Sequence, residues 1–381
     1  MNPVMADQGA PRAEVTVDLG AIAHNVRLLS GRAAASGAAT MAVVKADGYG
    51  HGAVPVARAA LGAGATWLGS CSLAEALALR AAGITAPILS WLETAGTDFA
   101  PAIAADVDVT ASGPGELESI VDGAWRAGRP ARVHLKIDTG LARNGCPVEL
   151  WPSLVDAAAV AERAGRISVV AVWSHLACAD EPGHPSIDLQ AKRFEDAYLA
   201  ARAAGLAPLR HLANSAATLS RPDLHFDLVR VGIAIYGLNP LPQKEDLRPA
   251  MMFRSSVALS RRIPAGESVS YGHTWTAERD TTLALVPAGY ADGIPRALSG
   301  RMEVWLAGRR RPVVGRVCMD QIVVDCGDDP VAGGEIVTLF GTGADGGPTA
   351  TEWANLTGTI DYEIVTGMYR PRIERIYLGS P

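Results

Sequence analysis

Apolar positions along the first two thirds of the chain follow two alternating periods. Short aliphatic and β-branched runs read as buried strands at Met41–Lys45, Thr66–Gly69, Pro87–Trp91, Val107–Thr110, Arg132–Asp138, Ser168–Ser174, Leu209–Ala213 and Asp227–Val231. Ala-rich stretches with helical spacing separate most of them. One opens at Ser72 with Glu75 three residues later, the pattern of a capping box. Roughly eight strand–helix units in succession predict an α/β fold, a (β/α)8 TIM barrel. A doubly wound open sheet uses the same alternation, and pattern alone leaves it open. After about Pro240 the texture changes. Ser255–Arg261, Thr282–Pro287, Met302–Leu306, Ile322–Asp325 and Glu335–Phe340 read as strands between Gly, Pro and Asp turns, with one helical piece at Thr351–Leu356. The expected organisation is a flexible arm at 1–13, a barrel at 14–245 and a mainly β C-terminal domain at 246–381.

Composition narrows the class. Half of the 381 residues are apolar and the net charge is −6, so a large core is available and a broad basic surface for nucleic acid is not. The five cysteines, Cys71, Cys146, Cys178, Cys318 and Cys326, form no Cys-x-x-Cys pair. Their odd count and scatter fit reduced thiols and a cytoplasmic location. No apolar run reaches the ~18 residues that would span a bilayer. Met1–Arg12 carries Asp7 and no apolar core, unlike a signal peptide. No metal and no membrane partner are expected.

The candidate chemistry lies at the ends of the predicted strands. Lys45 closes the first strand and precedes Ala46-Asp47-Gly48-Tyr49-Gly50-His51-Gly52. The C-terminal ends of barrel strands form the active-site face. A lysine partly buried there has a lowered pKa, and its free amine can attack an aldehyde. The glycines at 48, 50 and 52 also raise a dinucleotide-binding reading, but G-x-G-x-G is not the G-x-G-x-x-G spacing. Further polar groups stand at Lys136–Asn144, Ser174-His175, Asn214-Ser215 and Arg230-Val231-Gly232. Any one is compatible with a solvated strand end; four on one predicted face suggest a site. Ser215 and Gly232 follow strands seven and eight, where barrels commonly hold phosphate.

The segment Val44-Lys45-Ala46-Asp47-Gly48-Tyr49-Gly50-His51-Gly52 resembles the cofactor-binding segment of alanine racemases. Ser270-Tyr271-Gly272-His273, Pro287-Ala288-Gly289-Tyr290-Ala291-Asp292-Gly293, Gly315-Arg316-Val317-Cys318-Met319-Asp320-Gln321 and Tyr369-Arg370-Pro371-Arg372 resemble that family too. The likeness extends from about Glu14 to Leu378. Asp47-Gly48 stands where many members have Asn-Ala, and the N-terminal arm is extra.

The resemblance implies pyridoxal 5'-phosphate held covalently by Lys45, and L- and D-alanine as substrates. Racemisation takes a proton from one face of Cα and returns one to the other, so two bases are required. The resemblance gives Lys45 the proton of D-alanine and Tyr271 that of L-alanine. It makes Arg230 the partner of the pyridine nitrogen, in a network with His175, and Tyr49, Ser215, Gly232 and Tyr369 the phosphate set, with Ile233 beside it. Arg143 and the Met319 N–H would bind the substrate carboxylate. Tyr290 and Tyr369 would narrow the pocket to a methyl group, and Asp180, Arg296 and Arg316 would line an access channel. Lys136 matches a position often carbamylated. A homodimer is implied, with Tyr271 supplied to the partner's site, and the product D-alanine would feed peptidoglycan. A broader amino-acid racemase and a non-catalytic cofactor-binding protein are the alternatives.

Overall fold

The computed structural model describes residues 11–379, so most of the arm expected at 1–13 lies outside the described residues. The chain divides into two compact units, Gly20–Leu247 and a second unit joining residues up to Leu19 with those from Arg248 onward. The strand β1 (Glu14–Asp18), assigned from the pattern to the barrel, belongs instead to the second unit. Its partners lie hundreds of residues away, which no local pattern reveals.

Gly20–Leu247 is built on eight parallel strands: β2 (Ala39–Val43), β3 (Trp67–Ser70), β4 (Ile88–Ser90), β5 (Asp108–Ala111), β6 (Ala131–Lys136), β7 (Ile167–Trp173), β8 (Leu209–His211) and β9 (Leu228–Val231). Each pairs with the next from β2 to β8, and β9 returns to pair with β2. At the remaining seam, Asp227 N–H donates to Arg210 O (3.1 Å) and Arg230 N–H to Ala213 O (2.9 Å). This order makes a nearly closed TIM-like barrel and overturns the doubly wound alternative. The strands are largely apolar on both faces because helices cover the outside and side chains fill the inside. The helix Leu73–Ala81 starts with the expected capping box between Ser72 and Glu75.

The second unit holds a nine-stranded, mostly antiparallel sheet. To β1 it adds β10 (Met251–Ser256), β11 (Leu259–Ile263), then, past the small ribbon β12 (Ser268–Val269) and β13 (Trp275–Thr276), β14 (Thr281–Val286), β15 (Glu303–Leu306), β16 (Arg309–Val314), β17 (Ile322–Gly327), β18 (Ile336–Phe340) and β19 (Glu374–Leu378). The order is β11-β14-β17-β16-β15-β18-β10-β1-β19. The single strand expected at Ser255–Arg261 is broken at Val257-Ala258. There the chain changes partners: Val257 N–H bonds Glu335 O and Ala258 N–H bonds Leu285 O, taking β10 from β18 to β11 beside β14. No helix among the described residues is long and apolar enough to cross a membrane.

Trp353 anchors the core of this unit, edge-on to Phe340 at 5.1 Å and Phe253 at 6.4 Å between centroids, with almost no exposure. Trp353→Ala is expected to cost about 3–5 kcal/mol through lost burial and a residual cavity. Chemical denaturation checks this, and a loss below ~1 kcal/mol would mean the site collapses freely.

Candidate active site

The lysine at the first strand end sits one step further out than the pattern places it. β2 stops at Val43, and Lys45 opens a turn rather than closing a strand. Ala46, Asp47, Gly48 and Tyr49 all have φ between 52° and 62°, a left-handed turn of helix. Each non-glycine residue in that region costs roughly 1–2 kcal/mol. The turn is held by bonds from Gly48 N–H to Val44 O (2.8 Å), Gly50 N–H to Ala46 O (3.0 Å) and Gly52 N–H to Asp47 O (2.8 Å). Ala46 N–H also donates to Glu75 Oε1 at 2.8 Å. Asp47 Oδ1 accepts from Ala53 N–H (2.9 Å), capping the following helix where Gly52 has no side chain to do so. Strain of this kind persists only where the surroundings over-determine it, and it concentrates at functional sites. The half-buried Lys45 places Nζ 6.0 Å from the ring centroids of both Tyr49 and Trp91.

Arg230 lies on β9 beside β2, in register with Met41. Its buried guanidinium donates through Nη1 to His211 O (2.9 Å) and His211 Nδ1 (3.1 Å). Nη2 donates to Ser174 O (2.7 Å), Leu212 O (3.2 Å) and His175 Nδ1 (3.3 Å). The terminal nitrogens are thus fully engaged, and Trp173 packs 4.8 Å from the guanidinium carbon. Only Nε–H has no protein acceptor among the described residues. Burial pushes the Arg230 pKa down to about 9, which still leaves it protonated at neutral pH. Because arginine only donates, His175 must accept at Nδ1 and carry its proton on Nε2. Burial, then Arg230, Arg143, Lys136 and Lys45, hold His175 well below the usual imidazole range, so it is neutral. The same four cations make this end of the barrel complementary to anions. His211 was not singled out in the sequence, where a histidine inside a short strand carries no distinguishing pattern.

Tyr49, Ser215, Gly232 and Ile233 come together next to this network. The Ser215 hydroxyl accepts from Gly232 N–H at 2.8 Å and from Ala234 N–H at 3.4 Å. A Cβ on Gly232 would lie 2.6 Å from Tyr49 Oη, so any side chain there would push the Tyr49 hydroxyl out of place. Asn214 caps the short helix Ser215–Ser220 through Ala217 N–H at 3.0 Å. The cradle, the cationic surroundings and the spare Arg230 N–H fit a phosphorylated pyridine aldehyde beside Lys45.

Lys136 and Arg143 flank a loop closed on itself. Cys146 N–H bonds Lys136 O (2.8 Å) and Asp138 N–H bonds Cys146 O (2.9 Å). Asp138 Oδ1 gathers the amides of Gly140, Leu141 and Ala142 at 2.9–3.2 Å, which shapes the run into the exposed Arg143. Lys136 Nζ lies 4.3 Å from the Trp173 ring centroid in a buried position. Burial, then Arg230 and Arg143, push its pKa down to about 7.

The remaining residues belong to the second unit and form their own constellation. Tyr271 follows Ser270 (φ 66°), whose hydroxyl donates to Arg316 O at 3.0 Å. Tyr290 N–H bonds Cys318 O (3.0 Å) and Ala291 N–H bonds Met319 O (2.9 Å). Gly289 is required there, since a Cβ would lie 2.3–2.5 Å from Cys318 O, Met319 O and Met319 C. The Met319 N–H has no backbone acceptor among the described residues. Tyr271, Tyr369, Met319 and Tyr290 are 70%, 62%, 54% and 40% exposed, unusual for large side chains that no solvent role requires. Arg316 packs against the Tyr271 segment, where a Cβ on Gly272 would lie 3.2 Å from its guanidinium carbon, whereas Asp180 belongs to the first unit.

A family model described as the alanine racemase N-terminal domain matches residues 17–240, and one described as the alanine racemase C-terminal domain matches 250–377. A curated alanine racemase from Salinispora tropica is 55% identical over 371 residues, covering 97% of this chain and 99% of the relative. The solved alanine racemase of Streptomyces lavendulae matches with a TM-score of 0.95 at 50% identity, covering 98% of this chain and 99% of that one. A more distant structure from Bartonella henselae, at 28% identity and TM-score 0.87 over 96% of this chain and 99% of that one, is described as an alanine racemase with covalently bound pyridoxal phosphate.

The lowered Lys136 pKa has a testable sign. The unfolded chain holds that proton up to about 10.5 and the folded chain releases it at about 7, so unfolding takes up a proton between them. Stability therefore rises with pH across that window, by up to about 1.4 kcal/mol per unit. Denaturation of the protein and Lys136→Met in carbon-dioxide-free buffer checks it. The lysine protein should show the steeper rise from pH 7 to 10; equal slopes contradict the shift.

Proposed function

The chain belongs to the alanine racemase family, and from that premise we propose that it interconverts L- and D-alanine by a two-base mechanism, with pyridoxal phosphate held on Lys45. The observation that carries the reading is Arg230: a fixed, donor-only guanidinium whose one spare N–H lies on the strand next to Lys45. When bound, the cofactor makes the Cα proton acidic by drawing its electrons into the ring. Arg230 Nε–H would donate to the pyridine nitrogen and, because arginine keeps its proton at neutral pH, would leave that nitrogen unprotonated. Tyr49 Oη, the Ser215 hydroxyl and the Ile233 amide would take the phosphate, Gly232 would let the group approach the backbone closely, and Tyr369 would complete the set.

The Lys45 amine moves the proton on one face of Cα, that of D-alanine. Tyr271 moves it on the other, that of L-alanine. A phenol is a poor base unless its anion is stabilised. His175, carrying its proton on Nε2, and Arg143 provide that stabilisation. Arg143 and the Met319 N–H hold the substrate carboxylate, and Tyr290 with Tyr369 limits the pocket to a methyl group. Arg296, Arg316 and Asp180 line the access channel. Lys136 is carbamylated: a buried amine with a pKa near 7 is the form that adds carbon dioxide, and the resulting anion braces Arg143.

Tyr271 does this work from a homodimer. A base for a water-excluded reaction cannot remain 70% exposed; a second copy covers it, and each site draws its tyrosine from the partner. D-alanine made in the cytoplasm then supplies peptidoglycan.

Incubation of the cofactor-loaded protein with L-alanine should give equal final amounts of both enantiomers. Lys45→Ala should abolish this, and Tyr271→Phe should lower it by at least ~10²-fold, the contribution of a general base. Serine turned over as fast as alanine would favour a broader racemase. Cofactor bound with L-alanine untouched would favour a non-catalytic binding protein. Separately, ¹³C-labelled carbon dioxide should give a carbamate NMR signal that Lys136→Met lacks; identical spectra would rule out the modification.

A further inference from the structure

The hydrogen bonds on Arg230 do not end at His211. His211 Nε2 lies 2.9 Å from His134 Nδ1, and His134 Nε2 lies 3.1 Å from Asp108 Oδ2. Both imidazoles have no solvent exposure and Asp108 has 1%. The chain steps down the barrel interior: His211 of β8 is level with Trp173, which pairs with Lys136 of β6. His134 is two residues lower on β6, opposite Thr110, and Asp108 two lower again on β5. It thus connects the strand-end site to the opposite end of the barrel. At that far end Arg132 Nε donates to Asp108 Oδ1 at 2.6 Å and Nη2 to Oδ2 at 3.1 Å.

The two termini dictate every proton between them. Arg230 can only donate, so His211 accepts at Nδ1 and carries its proton on Nε2. That proton faces His134 Nδ1, which must accept, so His134 carries its own on Nε2. The ionised carboxylate of Asp108 can only accept, and takes it. Reversing any link sets two donors or two acceptors against each other in a dry core, where an unsatisfied polar group is costly. Trp173, stacked on His211 at 5.4 Å and 10°, fixes the plane of that ring, and Trp67 meets His134 edge-on at 5.6 Å.

We propose that His134 and Asp108 are positioning residues for Arg230: they keep the His211 proton on Nε2, so that its Nδ1 lone pair holds Arg230 Nη1 and leaves Nε as the outward donor. The proposal rests on the reading that Arg230 Nε meets the cofactor's pyridine nitrogen. Without an acceptor at the His134 position, His211 can turn its proton to Nδ1. Two donors then face each other and the guanidinium moves. A pyridine nitrogen held there would lose its fixed partner and could take up a proton, and the reaction would lose its preference for returning the proton to Cα. The competing product would be pyruvate: the proton from Cα would go to the cofactor's former aldehyde carbon, water would supply the keto oxygen, and the amino group would stay on the cofactor.

The test begins with ¹⁵N imidazole NMR on the cofactor-free protein, which reads both tautomers without any variant. Both His134 and His211 should carry the proton on Nε2; a proton on Nδ1 of either overturns the proposal. The loaded enzyme then gives the ratio of pyruvate formed to alanine racemised. His134→Leu and Asp108→Leu should raise it about tenfold, the lower end of what losing an outer hydrogen-bond partner does at metal sites. His134→Gln, which can accept from one neighbour and donate to the other, should keep the ratio near that of the parent. Arg132→Ala breaks the ion pair with Asp108 but not the chain, so it should lower thermal stability without moving the ratio. Arg230→Gln separates the two readings. If it shifts the ratio while a folded His134→Leu does not, the positioning role is wrong and the Arg230 reading stands. If Arg230→Gln itself leaves the ratio unchanged, the underlying reading fails.

Discussion

A guanidinium that keeps its proton at neutral pH is buried at the end of the barrel, and the polar groups around it take their orientation from it. Arg230 engages both terminal nitrogens with three carbonyls and two imidazoles. It forces His175 and His211 to accept, and so sets which nitrogen of each is left to donate. A lysine could not do this, since an ammonium has neither the planar fork nor the fixed charge. A carboxylate could not either, because it would accept where Arg230 donates. One residue thereby sets the tautomers of both histidines.

The rest of the site is arranged around that charge. The left-handed turn from Ala46 to Gly50 puts Lys45 just beyond its strand and Tyr49 over Gly232, at the cost of three non-glycine residues held in an unfavourable region. Lys45, Lys136, Arg143 and Arg230 together act on His175, and the gathered positive charge leaves a neutral histidine and a lysine poised near neutrality. In the second unit, Gly289 permits the contact that joins the Tyr290 and Met319 segments. That unit leaves Tyr271 and Tyr369 largely exposed.

Much of the barrel is legible in the chain because its strands are buried on both faces and read as apolar runs. The boundaries drift where chemistry intrudes: β2 ends at Val43, not Lys45, because the strained turn begins there. β1 is hidden because its sheet partners start at Arg254, more than two hundred residues on. β16 is hidden because Arg309, Arg310 and Arg311 open it, and the third of these is buried by hydrogen bonds to Leu306 O and Cys326 O that no pattern announces. At the site, periodicity places Lys45, His175, Ser215 and Arg230 at strand ends but assigns them no roles; those come from the family motifs. His211, His134 and Asp108 escape both, since a buried polar network across four strands exists only in three dimensions.

The central claim is that two different groups serve the two faces of Cα. The most direct test is exchange of the Cα proton for solvent deuterium in cofactor-loaded Tyr271→Phe, followed separately from each enantiomer by NMR. The account predicts that D-alanine still exchanges, because Lys45 serves its face, while L-alanine does not and no enantiomer crosses to the other. Exchange of both at comparable rates, or of L-alanine alone, would contradict it.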